Sequence, residues 1–317
     1  MGPMARVSAA APPEPFAGAL RIARFTAVMY KPHYLLYGIL WVLALEGTAA
    51  LVSQPETAWR PTGATVLRIV IVAFVLLYLR MIDEQKDLDY DRVHNPSRPL
   101  VTGAVRALDL RVAMAVIAAG ALAASLTLSI VSAVAIAAVL GYGLLLWWLE
   151  RESAAVRTDI LLNLVVTYPV QLLVTAYVVV SAIGTGEVSW RASVLGVAVI
   201  FAGAFLQFEF ARKTSRSYRP GELYYSNPLG ATGSVAASLA CAVVAVVAEL
   251  ALVRPWQWAA PAGLLAWIPL ALPLIPVAGA WSSRRSERVD YPVAPAVLFI
   301  IALYLVLIAQ AAVLTGR

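Results

Sequence analysis

Apolar residues come in long runs along this chain, and nearly all the charged residues fall between them. A helix rises 1.5 Å per residue, so about 20 mostly apolar residues cross the hydrocarbon core of a bilayer. Nine stretches meet that length, near 33–52, 66–83, 108–127, 130–149, 159–182, 192–211, 230–252, 257–280 and 291–315. The stretch 107–149 is nearly continuous. It is too long for one span and about right for two joined by a tight turn near Ser129. No internal repeat, soluble domain or long linker stands out. The pattern predicts an all-α integral membrane bundle: a flexible N-terminal tail over 1–20, rich in proline, and a single nine-helix domain over 21–317.

Composition agrees. The chain has 317 residues, 61% of them hydrophobic and 13% charged, with a mean hydropathy of +0.80. A soluble domain carries about 25% charged residues. The tail has no apolar core before a cleavage site, so it does not read as a signal peptide. Cys241 is the single cysteine, and His33 and His94 are the two histidines, which excludes a disulfide within the chain and argues against a Cys/His metal site. The net charge is +6 and the pI about 9.5. Assigning the tail and alternate loops to one side of the membrane puts 19 of the 24 Lys and Arg there. The positive-inside rule makes that side cytoplasmic. The basic balance is thus explained by topology, and no nucleic-acid partner is needed.

The acids are equally lopsided. After the second apolar run comes "RMIDEQKDLDYDRVHNPSRPL", residues 80–100. Asp83, Asp87 and Asp91 stand four residues apart, which lines them up on one helical face. Like charges at that spacing repel, so the row makes sense if something positive fills it. Three carboxylates without His or Cys suit a hard divalent cation, and Mg²⁺ is the usual choice beside phosphates. Arg80, Arg92 and Arg98 can grip phosphate oxygens in two-pronged contacts, and Lys86 joins them as a diphosphate-binding candidate. Pro96 and Pro99 should stop the helix near Asn95. Glu84 and Asp89 fall off the row and read as helix-surface charges. A solvated, mixed-charge loop would account for the same charges without chemistry. The regular spacing, the proline punctuation and a second charged mouth near Glu209 favour a site.

The run "DEQKDLDYDRVHNPSRPLVTG" resembles the first aspartate-rich motif of the UbiA superfamily of intramembrane prenyltransferases, N/D-x-x-x-D-x-x-x-D followed by P-x-R-P-L and a glycine. Asp83, Asp87 and Asp91 match the acidic positions, and Pro96, Arg98, Pro99, Leu100 and Gly103 match the tail. The resemblance implies nine transmembrane helices around a central cavity open to the cytoplasmic side and laterally to lipid. It implies Mg²⁺ held by the three aspartates against the diphosphate of an isoprenyl donor, and an allylic cation that alkylates a lipophilic or aromatic acceptor. It also implies a second acidic motif after the sixth helix. There the chain departs: "QFEFARKTSRSYRPGELYYS", residues 207–226, offers Glu209 as the only nearby acid and Glu222 further on, with Lys213 and Ser217 where further acids are expected. Either Glu209 holds a second Mg²⁺ with little help, or Arg212 and Lys213 bind diphosphate directly.

Other polar groups carry double readings. Glu150 is a contact to the donor or merely a helix end. Asn163, Tyr168 and Gln171 line a cavity or join helices by hydrogen bonds, and Tyr168–Pro169 marks a kink. Tyr142, Trp147 and Trp148 shield a cation or anchor at the interface. Tyr224 and Tyr225 are candidates for a lid over the mouth. Glu46 and Glu249 receive no role. Besides prenyl transfer, two alternatives stay open: a membrane terpene cyclase of the same superfamily, which quenches the cation within its own chain, and, more remotely, an ion-coupled transporter. A CDP-alcohol phosphotransferase is set aside, since its D-G-x-x-A-R lead-in is absent.

Overall fold

The computed structural model describes residues 14–316. Among them, nine helical segments are long and apolar enough to cross a membrane, and each falls within a few residues of a stretch expected from the sequence. The spans begin with α2 (Pro32–Ser53), α3 (Gly63–Lys86), α5 (Ala107–Leu128) and α6 (Ile130–Glu152). The split between α5 and α6 falls on Ser129. That residue leaves the helix for an extended conformation, and its hydroxyl caps α6 by accepting from the Ser132 amide at 3.0 Å. The fifth span is two pieces, α8 (Ile160–Thr167) and α9 (Pro169–Thr185), broken at the anticipated Tyr168–Pro169 step. After α10 (Ser193–Arg212) comes α11 (Ser226–Val253), interrupted by Gly230 at φ 70 and ψ 160, a conformation open to glycine and few others. The eighth span is the most fragmented. It consists of α12 (Gly263–Trp267), a 3₁₀ turn over Ile268–Ala271 and α13 (Leu274–Arg285), with Pro269, Pro273 and Pro276 removing backbone donors. The last span is α14 (Ala294–Leu314).

One expectation is corrected. Helix α1 (Glu14–Met29) begins inside the stretch read as a tail, and residues 1–13 lie outside the described residues. Contacts among the described residues hold it: Arg21 grips Asp109 of α5 with both prongs, at 2.6 and 2.9 Å, and Phe25 is buried in the core. Short helices α4 (Leu88–His94) and α7 (Ala154–Thr158) occupy two loops at the same end of the bundle.

Helix α10 packs along α11, and α14 along α2. Small residues allow the close approach that drives packing in lipid. A Cβ at Gly203 would stand 2.7 Å from the Cys241 carbonyl and 2.9 Å from the Ala245 nitrogen. Gly203→Val is therefore expected to destabilise the α10–α11 pair by about 1–3 kcal/mol. Thermal unfolding in detergent checks this, and an unchanged midpoint would count against the stated packing.

The end opposite the acidic loop holds a buried charge cluster. Arg68 of α3 meets Glu46 of α2 at 2.8 Å and Glu187, just after α9, at 3.2 Å. Glu46 also accepts from Thr65 at 2.7 Å and from the Trp59 indole at 3.1 Å, and Arg68 donates to Thr185 at 2.7 Å. Glu46, left without a role by the sequence, thus ties two spans and two loops together.

Candidate active site

The acidic run emerges from α3 and crosses a break. Helix α3 ends at Lys86, Asp87 sits at the junction with φ −89 and ψ 6, and α4 resumes at Leu88. The i→i+4 bonds nevertheless continue, from the Asp87 amide to the Asp83 carbonyl (3.0 Å) and from the Asp91 amide to the Asp87 carbonyl (2.8 Å). The three carboxylates therefore keep their common face despite the break. Helix α4 stops at His94, with Asn95 as its cap, where the prolines require.

Each acid has a different surrounding. Asp83 and Asp87 are 45% and 40% exposed at the mouth, with the Lys86 ammonium 3.6 and 3.5 Å away. Asp91 is buried. One of its oxygens accepts from Asn95 at 2.7 Å, while Oδ2 has no hydrogen-bond partner and lies 3.7 Å from Arg98 Nε. Lys86 is held from behind by Glu150 of α6, at 2.9 and 3.0 Å, and Asn163 of α8 donates to the same carboxylate at 3.2 Å. Glu150 is thus not an exposed helix end: it is a buried group that holds Lys86.

Glu84 is the clearest departure from the sequence reading. It is 1% exposed rather than a surface charge, and it receives Arg80 at 3.3 Å, Arg98 at 3.1 Å and the Leu100 amide at 3.5 Å. The reason is the turn after α4, which folds the Pro96–Leu100 segment back against α3. Arg80 and Arg98, expected to hold phosphate, are held by Glu84 and remain about one quarter exposed. Asp89 does behave as a surface charge, 93% exposed and paired with Arg92 at 2.7 Å. The sequence offered one signal for Glu84: it stands four residues after Arg80, a spacing at which opposite charges meet.

The second mouth lies at the end of α10. Glu209 is buried; its Oε2 accepts from Arg212 Nε at 2.5 Å and its Oε1 from Lys213 Nζ at 2.9 Å. Tyr225 donates to Oε1 at 3.3 Å and stacks its ring under Lys213, 5.5 Å away. Tyr225 is 1% exposed, so it supports the mouth from beneath and is no lid. Tyr224 instead lies under Arg219. The two mouths lie at the same end of the bundle, after α3 and after α10. Tyr90 of α4 meets the Glu222–Leu223 stretch, and Lys213 is within electrostatic reach of Lys86. Burial, with repulsion from Arg212 and Lys86, holds Lys213 below the usual lysine range against the pull of Glu209.

Among the flanking aromatics, Trp148 is exposed on the bundle surface, Trp147 lies under Arg111, and the Tyr142 hydroxyl donates to the Val166 carbonyl at 2.8 Å. These are anchoring and helix-joining roles. A cavity of about 290 Å³ opens between α11 and α13, lined in part by Thr214, Arg216, Arg284 and Tyr291, and none of the carboxylate row lines it.

Among the described residues, no three His, Cys, Asp or Glu side chains are drawn together as a ready cage for a metal. The first row still fits a hard cation in kind: two partly exposed carboxylates and a third with an unbonded buried oxygen. Electrostatics point the same way. Asp87 is pushed up to about 7, first by burial and then by Asp83, Glu150 and Asp91, with Lys86 pulling the other way. An acid raised above its unfolded value favours folding only while protonated, and that advantage is lost as pH rises through about 7. In EDTA, Asp87→Asn is therefore expected to raise the unfolding midpoint. The gain should grow between pH 3.8 and about 7. A variant less stable than the parent at pH 8 would contradict this.

The architecture, nine apolar spans among the described residues with charged loops at one end, is the UbiA fold. An apo UbiA homologue from Aeropyrum pernix K1 superposes with a TM-score of 0.58 at 22% identity, covering 86% of this chain and 96% of its own. A UbiA homologue from Archaeoglobus fulgidus bound to GPP and Mg²⁺ superposes at 0.58 and 14% identity, over 94% and 99%. A digeranylgeranylglyceryl phosphate synthase does so at 0.55 and 14% identity, over 92% and 99%. No protein-family model and no curated protein sequence matches the chain.

Proposed function

We propose that the chain is an integral-membrane prenyltransferase that takes an isoprenyl group from an isoprenyl diphosphate, with Mg²⁺, and passes it to a lipophilic or aromatic acceptor. The observation that carries this reading is the carboxylate row Asp83, Asp87 and Asp91 at the same end of a UbiA-type bundle as Arg212 and Lys213, with Lys86, beside the row, within electrostatic reach of Lys213. The solved relative with GPP and Mg²⁺ supports the choice of donor and metal. In this reading the mouth lies on the cytoplasmic side, because the tail and loops assigned to that side carry 19 of the 24 Lys and Arg.

In this reading Asp83, Asp87 and Asp91 hold the metal, which when bound neutralises charge on the departing diphosphate. Lys213 and Arg212 take phosphate oxygens, and Lys86, steadied by Glu150, contributes a third positive charge. Arg80 and Arg98, gripped by Glu84, shape the wall behind the row. The allylic C–O bond breaks with its electron pair on the diphosphate. The hydrocarbon tail and the cation stay among apolar and aromatic side chains that exclude water.

One observation also supports a cyclase. Tyr37, Trp41, Phe201 and Tyr304 form a chain of ring contacts, with centroids 5.2 to 5.9 Å apart, in the interior. Aromatic faces stabilise a cation that must survive several bond-forming steps. A transporter reading has less support: the acids gather at helix ends, and within the spans Glu46 and Arg68 are paired with each other, which leaves Glu249, buried in α11 without a hydrogen-bond partner, as the acid that reading would have to use. Incubating the protein with geranyl, farnesyl or geranylgeranyl diphosphate, without acceptor, separates the two enzyme readings. Slow hydrolysis to the alcohol is expected of the transferase, and a ring-bearing hydrocarbon would replace that reading with the cyclase.

A further inference from the structure

We infer that the second mouth of this chain takes no metal ion: Glu209 is a positioning residue that holds Arg212 and Lys213 as a direct cationic cradle for the diphosphate. The inference rests on the reading of the first row given above. Both Glu209 oxygens are already committed to cations, Oε2 to Arg212 at 2.5 Å and Oε1 to Lys213 at 2.9 Å, with Tyr225 adding a third hydrogen bond at 3.3 Å. A divalent ion coordinated there would displace these donors and sit beside two positive charges fixed three and four residues along the same chain segment. Hard cations are bound by several oxygens, usually including carboxylates. Asp290, in a neighbouring loop, is paired with Arg219 at 2.8 Å, and Lys213 and Ser217 stand four and eight residues after Glu209, where a row like that of Asp83, Asp87 and Asp91 needs carboxylates.

The same contacts leave the cations able to act outward. Arg212 spends Nε on Glu209, so its two terminal nitrogens, on a side chain 43% exposed, remain for an external oxygen acceptor. Lys213 has donors to spare, and the Tyr225 ring beneath it limits its swing. Lys213 and Lys86 repel each other across the mouth, and a polyanion between them relieves that repulsion. An arginine fork and a lysine point charge replace an ion bridge here, while the first row keeps the metal.

The test counts metal. Purified protein is titrated with Mn²⁺ in the presence of inorganic pyrophosphate, and bound ion is measured by electron paramagnetic resonance. One Mn²⁺ per chain is expected, lost in Asp83→Asn and retained in Glu209→Gln. Pyrophosphate affinity should fall about tenfold in Glu209→Gln and in Lys213→Met, with the metal count still one. A fold defect alone would not produce that combination. Two Mn²⁺ per chain in the parent, loss of an ion in Glu209→Gln, or unchanged pyrophosphate affinity in both variants overturns the inference. No Mn²⁺ bound at all overturns the reading of the first row instead, and this inference falls with it.

Discussion

Replacing Asp83 with Asn is expected to slow diphosphate release from an allylic donor by about 10²–10³-fold, the size of effect seen when one group stabilising transition-state charge is removed. Asp83 is well suited to show it. Its side chain is 45% exposed, and its nearest charged partner, Lys86, is 3.6 Å away and held independently by Glu150. The substitution therefore removes charge at the mouth without opening a hole in the packing, and the unfolding midpoint should hardly move. Asp89→Asn is the matched control. It lies on the same segment, 93% exposed and paired only with Arg92, and should leave the rate unchanged. If both variants lost activity equally, general electrostatics of the acidic loop would be responsible, and the row would have no special role.

The largest stability effect is expected far from this mouth. Arg68→Leu should cost about 3–5 kcal/mol, because it leaves the buried Glu46 and the partly buried Glu187 beside each other with no positive charge between them. Thr65, Trp59 and Thr185 would stay pointed at a cluster that has lost its centre. Glu46→Gln should do less damage, since Glu187 still faces Arg68. Thermal unfolding in detergent micelles ranks the three proteins. Equal midpoints for parent and Arg68→Leu would show that the cluster does not tie α2, α3 and the loop after α9 together.

How far the sequence reaches is visible in particular residues. Span positions were legible because lipid demands long apolar runs with every backbone group bonded inside the helix. Even the turn at Ser129, inside a nearly continuous apolar stretch, followed from length alone. The row of Asp83, Asp87 and Asp91 was legible as spacing, and its common face persists through the break at Asp87. Long-range partners were not legible. Nothing local says that Glu84 is buried by a segment more than ten residues ahead, or that Lys86 leans on Glu150 of another span. The helix at Glu14–Met29 was missed because Arg21 needs Asp109, which lies on α5. Glu46 and Arg68 carried a signal that was not used: opposite charges in consecutive apolar segments, each costly in lipid unless paired. Nothing in the sequence around Tyr225 separates a lid from a buried support; the structure does, by covering the ring with Lys213 and bringing its hydroxyl to Glu209.

The proposed function requires this protein to ionise an allylic diphosphate with a divalent ion. Pyrophosphate release by the purified protein in detergent, from geranyl, farnesyl and geranylgeranyl diphosphate, with Mg²⁺ and with EDTA, measures that. Release from at least one donor with Mg²⁺, abolished by EDTA and by Asp83→Asn, is the predicted result. No release from any donor, or equal release in EDTA, would contradict it.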